Sequence, residues 1–334
     1  MITFHVSRAS RRRPIAAACT LLTATLLLGA LPAHAQVNRD PERARFVTDD
    51  ITHFWAAFDA RGALGTAAAM DSLYFAPATA GLQDFRRLRL QDPAIFARTV
   101  DAASRYYAST RESTLRIAGF EPQLRQVLRT LAAQLPDAVF PDVYFVMWRL
   151  STGGTTGPAG LLIGAEMYGR TADSLLGKPL NDWHRAVLRR VDDLPGIVSH
   201  ELVHYQQRPD GPTLLEKALR EGIADFVGER ISGMNINAPA VAWATSHEAE
   251  LWAEFQGAML GTDYSRWLFN GSSSIDRPAD LGYVMGYRIA QAWFARHGGE
   301  RGALRRMLNV EGLASAQRFL AESGYAPGGG PRPP

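Results

Sequence analysis

The stretches IVSHELVHYQQ, residues 197–207, and LLEKALREGIADF, residues 214–226, decide how this chain reads. Asp192, Asp193 and Pro195 make a helix-start signal ahead of the first, and Pro209-Asp210-Gly211 stops it. Thr213 and Glu216, three residues apart, form a Thr-x-x-Glu capping box that opens the second. The expectation is one helix over 182–207, a tight turn, and a returning helix over 214–231.

His200 and His204 are four residues apart on the first helix, so their side chains lie one above the other on one face. Two imidazoles so placed can hold one cation. Glu201, about a third of a turn round, can reach a water on that cation without ligating it. Chance is the alternative, but the pentapeptide HELVH is rare and sits in helical context. Two nitrogens and a carboxylate suit Zn²⁺ and leave a position open for chemistry.

Three downstream carboxylates compete for the third ligand position. Glu216 is explained by the capping box. Asp210, six residues after His204, stands where one class of metallopeptidase has its third ligand, although that class has glycine where this chain has Gln207. Glu221 is favoured over a solvated helix carboxylate because a returning helix brings it back over the first. Asp225, one turn further on, suits a carboxylate that accepts the free N–H of a ligand histidine. Gly222 would permit close helix approach.

The first 35 residues read as an export signal: Arg8, Arg11, Arg12 and Arg13, an apolar run from Ile15 to Leu31, then Ala33-His34-Ala35 as a cleavage site. Thr20, Thr23 and Thr25 interrupt the run, which argues against a membrane anchor. The leader carries four of the 36 Lys and Arg and none of the 33 Asp and Glu, leaving 32 against 33. A near-neutral remainder favours neither nucleic acid nor an anionic membrane as partner. The one cysteine, Cys19, lies in the leader, so any metal site beyond it must use His and carboxylate.

From Asp40 to about Leu135 the pattern is helical. Phe46, Asp50, Phe54 and Phe58 form one stripe and Leu124, Val127, Leu128 and Leu131 another. Pro93, Gly119, Pro122 and Pro136 punctuate this half. Residues 143–150 read as a strand, Ser151–Gly157 as a turn, and Leu161–Ala165 as a second strand, with a hairpin as one arrangement. Helices are expected again over 182–207, 214–231, 241–260 and 280–297. The class is α+β, mostly helical, with a small sheet. One domain over 36–324 is expected, helical over 36–140 and catalytic over 141–324, followed by a disordered Gly/Pro-rich tail at 325–334.

HELVHYQQ followed by EGIADF resembles the gluzincin class of zinc metallopeptidases, and more narrowly the zinc proteases related to gliding-motility lipoproteins. The narrower likeness extends to FWAAFDA at 54–60, VYFVMWRLSTGG at 143–154 and GYVMGYRIAQAW at 282–293. It implies a zincin-like fold with the sheet beside the HExxH helix. It departs in spacing, with 16 residues between His204 and Glu221, fewer than in thermolysin-like enzymes.

The resemblance implies hydrolysis of peptide bonds in a peptide or protein substrate by a zinc-activated water, with His200, His204 and Glu221 as ligands, Asp225 behind them and Glu201 as general base. A donor to the oxyanion is sought among Tyr287, Tyr283, Arg288 and His247, with Tyr287 ahead of Tyr283; a core tyrosine is the plain alternative for each. His247 and His184 are expected at the surface or in caps. The likeness further implies that the 143–150 strand is a sheet edge pairing with extended substrate; an interior strand is the alternative. An envelope scaffold that binds zinc without turnover is the competing function. An exported chain acts in the periplasm or outside the cell.

Overall fold

The computed structural model describes residues 37–89, 93–172, 174, 180–271 and 277–327; the stretch expected to be an export signal and residues 328–334 lie outside them. The first half is built from α1 (Asp49–Leu64), α2 (Thr66–Ala69), α3 (Ala80–Arg89), α4 (Pro93–Ala102), α5 (Ser104–Leu115) and α6 (Glu121–Gln134). The expected stripe of α6 is buried at Leu124, Val127, Leu128 and Leu131. In the other stripe Asp50, Phe54 and Phe58 are buried on α1, but Phe46 is not helical. It lies in β1 (Phe46–Val47), which pairs parallel to residues 143–144.

The sheet has four strands in the order β1, β2 (Asp142–Val146), β4 (Gly160–Gly164), β3 (Gly154–Gly157). β2 and β4 run parallel, with Val143 opposite Leu161. A hairpin between the two apolar strands is therefore not formed. The hairpin is β3–β4, antiparallel, with Thr156 opposite Leu161. The segment 151–157, expected as a turn, supplies an edge strand: Thr155 and Thr156 are β-branched and take strand backbone readily. β2 is interior, and Val143–Val146 are all buried, as their unbroken apolar run requires.

Polar tethers fix the exit of β2. Tyr74 Oη donates to the Met147 carbonyl at 2.5 Å, and Tyr107 Oη to that of Trp148. The Glu166 carboxylate, fully buried, accepts the N–H of Trp148 at 2.8 Å and of Leu150 at 3.2 Å. Leu150 itself adopts φ 57°. Phe96 stacks on Trp148 and on Tyr74, and Phe54 meets Tyr74 edge to face. The sheet thus shares one core with the N-terminal helices, and the residues from Val37 onward cluster as one compact unit.

Beyond the sheet come α7 (Asp182–Val187), α8 (Leu194–Gln206), α9 (Leu214–Ser232), α10 (Ala238–Thr245), α11 (Glu248–Ala258), α12 (Leu281–His297), α13 (Ala303–Leu308) and α14 (Leu313–Ser323). Two expected helices are each divided. The 182–207 helix breaks into α7 and α8 at residues 188–190, where Leu188 and Arg190 are extended and both backbone groups of Arg189 are bonded away from a helix, its N–H to the Met167 carbonyl and its carbonyl to the Arg170 N–H, each at 2.9 Å. The 241–260 helix breaks at Ser246-His247. Ser246 Oγ donates to the Trp243 carbonyl and the His247 ring nitrogen lies 2.9 Å from it, a local competition with the helical ladder. Tyr325, expected in the tail, is held by its hydroxyl to Glu248 at 2.8 Å and packs on Trp252. No described helix is long and apolar enough to cross a membrane.

Candidate metal centre

α8 stops at Gln206 and α9 starts where Thr213 accepts the Glu216 N–H while Glu216 Oε2 accepts the Thr213 N–H at 3.1 Å. Glu216 is spent there. His204 faces Glu221 and His200 faces Asp225, so the two helices run antiparallel. Gly228 lets α9 pass the backbone of His200: a Cβ there would stand 3.3 Å from the His200 nitrogen. On its other side α9 crosses α12 at Gly222 and Gly286, where a Cβ on Gly222 would be 2.1 Å from the Tyr287 nitrogen. Gly222 therefore serves the α9–α12 crossing.

Three donor atoms converge between α8 and α9. His204 Nε2 lies 2.9 Å from His200 Nε2 and 3.1 Å from Glu221 Oε2, and His200 Nε2 lies 3.4 Å from the same oxygen. The two rings are perpendicular, with centroids 4.5 Å apart. Among the described residues this is the group of His, Cys, Asp or Glu side chains able to hold an ion. The spacings are close to the edge of about 3.3 Å expected for a tetrahedron with bonds of about 2.0 Å.

The outer nitrogens bear on what these three atoms could hold. His200 Nδ1 is 2.8 Å from Asp225 Oδ1, and Asp225 Oδ2 accepts Asn237 Nδ2 at 2.6 Å. His204 Nδ1 is 2.7 Å from Gln207 Oε1, while Gln207 Nε2 donates to the Arg220 carbonyl at 2.8 Å. Each Nδ1 therefore carries a hydrogen, so that each ring, when neutral, turns a lone pair inward at Nε2, and when protonated a second N–H. Two lone pairs and a carboxylate oxygen within hydrogen-bond distance repel unless a proton or a metal ion stands among them. The residues fit a divalent cation. Burial works against charge on His200, but bonds to Asp225 and Glu221 outweigh it and hold its pKa well above the usual range. Burial likewise opposes ionisation of Glu221, but the charge of His204 and bonds to both imidazoles hold its pKa well below the usual range.

Glu201, half-buried, lies against the edge strand. A Cβ on Gly154 would be 2.3 Å from Glu201 Oε1, and one on Gly153 would be 2.4 Å from the Tyr168 hydroxyl. In this segment, read as a turn, Gly154 is what lets β3 approach α8, and Gly153 makes room for the Tyr168 hydroxyl. Burial, then the Glu201 charge, pushes the Tyr168 hydroxyl pKa up.

Of the two tyrosines weighed for the site, Tyr283 stands at the cradle. Its ring stacks on that of His200 at 6.2 Å, and burial first, then the nearby Glu221 charge, drives its hydroxyl pKa well up. Tyr287, preferred on sequence, is one turn further along α12 and donates instead to Glu229 at 2.6 Å. Arg288 donates to Thr245 at 2.8 Å and His247 stacks on Trp243 at 3.9 Å; neither is part of the donor group. His184 closes a capping box with Asn181 at the start of α7. Asp210, the rival third ligand, pairs with Lys217 at 2.9 Å and lies outside the donor group.

Sequence reasoning missed Gln207, Asn237 and the Gly153-Gly154 pair. Gln207 carried one usable signal, an amide three residues past the second histidine; Asn237 carried none, since its contact with Asp225 depends on the chain turning back after α9. No family model, curated protein or solved structure matches the chain.

Proposed function

We propose that this chain is an exported, zinc-dependent hydrolase of zincin type that cleaves peptide bonds. The reading rests on one observation: His200, His204 and Glu221 converge with both outer histidine nitrogens already satisfied, and Glu201, next to His200 in the chain, lies against Gly154 of the edge strand. A zinc ion bound there would supply Lewis-acid polarisation of a carbonyl and a lowered pKa for water. Glu201 takes the proton of the attacking water and delivers it to the leaving nitrogen. The Tyr283 hydroxyl donates to the oxyanion, at a distance set by the Gly222–Gly286 crossing that seats α12. Among the described residues β3 pairs with β4 on one side only. Its free edge binds extended substrate through backbone hydrogen bonds, which favours a peptide over a simple ester. The resemblance places the substrate strand at 143–150; the edge beside Glu201 is instead 154–157.

The test is metal content and peptide-library cleavage for the chain without its leader, compared with three variants. Glu201→Gln keeps zinc and loses cleavage by about 10²–10⁴-fold. Glu221→Ala loses zinc, and Asp210→Ala keeps both zinc and cleavage. A wild type that binds zinc and cleaves nothing supports an envelope scaffold instead. Zinc released by Asp210→Ala alone would overturn the ligand set.

A further inference from the structure

The two imidazoles of the cradle are backed differently. Behind His200 stands an anion, Asp225; behind His204 stands a neutral amide, Gln207. Gln207 is the first residue past α8, with φ −79° and ψ 156°, so its side chain folds back over the last helical turn. Its NH₂ is committed to the carbonyl of Arg220, the residue before Glu221. Rotating the amide by half a turn would set NH₂ against the His204 N–H and oxygen against the carbonyl, losing both bonds. The amide is thus locked with its oxygen on His204 Nδ1.

We propose that Gln207 is a positioning residue that fixes the tautomer and ring plane of His204 and ties them to the backbone beside Glu221. This rests on the metal-centre reading above. The state it suppresses is specific. His204 Nε2 is 3.1 Å from Glu221 Oε2, so an imidazole protonated at Nε2 would bond to that carboxylate directly. That arrangement satisfies both groups, removes the inward lone pair and competes with a metal ion. An acceptor behind Nδ1 holds the hydrogen on the far side of the ring. A neutral acceptor does so without adding a third negative charge to Glu221 and Asp225, whose two charges already balance a divalent cation.

The test compares wild type, Gln207→Met and Gln207→Glu by chelator competition for Zn²⁺, by visible absorption with Co²⁺ bound, and by melting of the metal-free protein. Gln207→Met keeps the length and loses the acceptor. It weakens zinc binding about 10–100-fold and shifts the cobalt bands. Gln207→Glu restores an acceptor and recovers most of the affinity. If Gln207→Met fails to fold, Gln207→Asn, too short to reach both partners, takes its place. Wild-type zinc affinity and cobalt spectrum in these variants, with only the metal-free melting temperature lowered, would make Gln207 a simple tether and overturn the proposal. A wild type that takes up no metal overturns the metal-centre reading itself, and this inference with it.

Discussion

Replacing Gly154 with alanine tests whether β3 and Glu201 are fitted to each other. The new methyl would stand 2.3 Å from Glu201 Oε1 and 2.5 Å from its Cδ, whereas ordinary contact begins near 3.4 Å. The carboxylate must therefore retreat by about 1 Å, and a displacement of that size in a reacting group costs about 10²-fold in rate. Stability should change little. Residue 154 has strand backbone that alanine adopts freely, and the entropic gain of about 0.4–1 kcal/mol from glycine to alanine offsets the side-chain shift. Zinc content should be unchanged, since Glu201 is outside the donor group. The assay is kcat/KM on one library-derived peptide, with zinc content and melting temperature measured on the same preparation. A folded, zinc-loaded Gly154→Ala protein within about threefold of wild type, less than 1 kcal/mol of barrier, would refute the fit between strand and base.

Tyr283→Phe should lower kcat by about 10²-fold with zinc retained, whereas Tyr287→Phe should leave kcat alone and cost about 1 kcal/mol in denaturant unfolding through the lost bond to Glu229. Gly222→Ala forces a methyl to within 2.1 Å of the α12 backbone and should destabilise by at least about 1–3 kcal/mol, read as a lowered unfolding midpoint. Burial pushes the Glu166 carboxyl up to about 7 from 4.5. A raised carboxyl pKa means the folded state binds the proton more tightly than the unfolded, so stability falls as pH rises between those values, by about 3 kcal/mol. Glu166→Gln, compared with wild type across pH 4.5 to 7, should remove that part of the slope even though the substitution itself destabilises; parallel slopes would contradict the assignment.

Features whose physics is local could be read directly from the residues. A four-residue repeat on a helix set His200 and His204 on one face, Thr213 and Glu216 closed their own cap, and the apolar stripe of α6 buried as its spacing requires. The short connection between α8 and α9 also made the return of Glu221 and Asp225 legible, because a tight turn leaves a helix few places to go. Features that depend on partners distant along the chain came only from the fold. Gly153 and Gly154 look like a turn until β4 pairs with the strand they begin and α8 packs on it. Tyr283 and Tyr287 sit on adjacent turns of one helix, and the Gly222–Gly286 crossing, not their spacing, sets which ring stacks on His200 and which hydroxyl meets Glu229. Strand order and the clamp of Asn237 on Asp225 belong to the same class. Residue pattern fixes which face of an element is apolar or reactive, whereas side-chain volume and close approach at a few glycines fix which face of another element it meets.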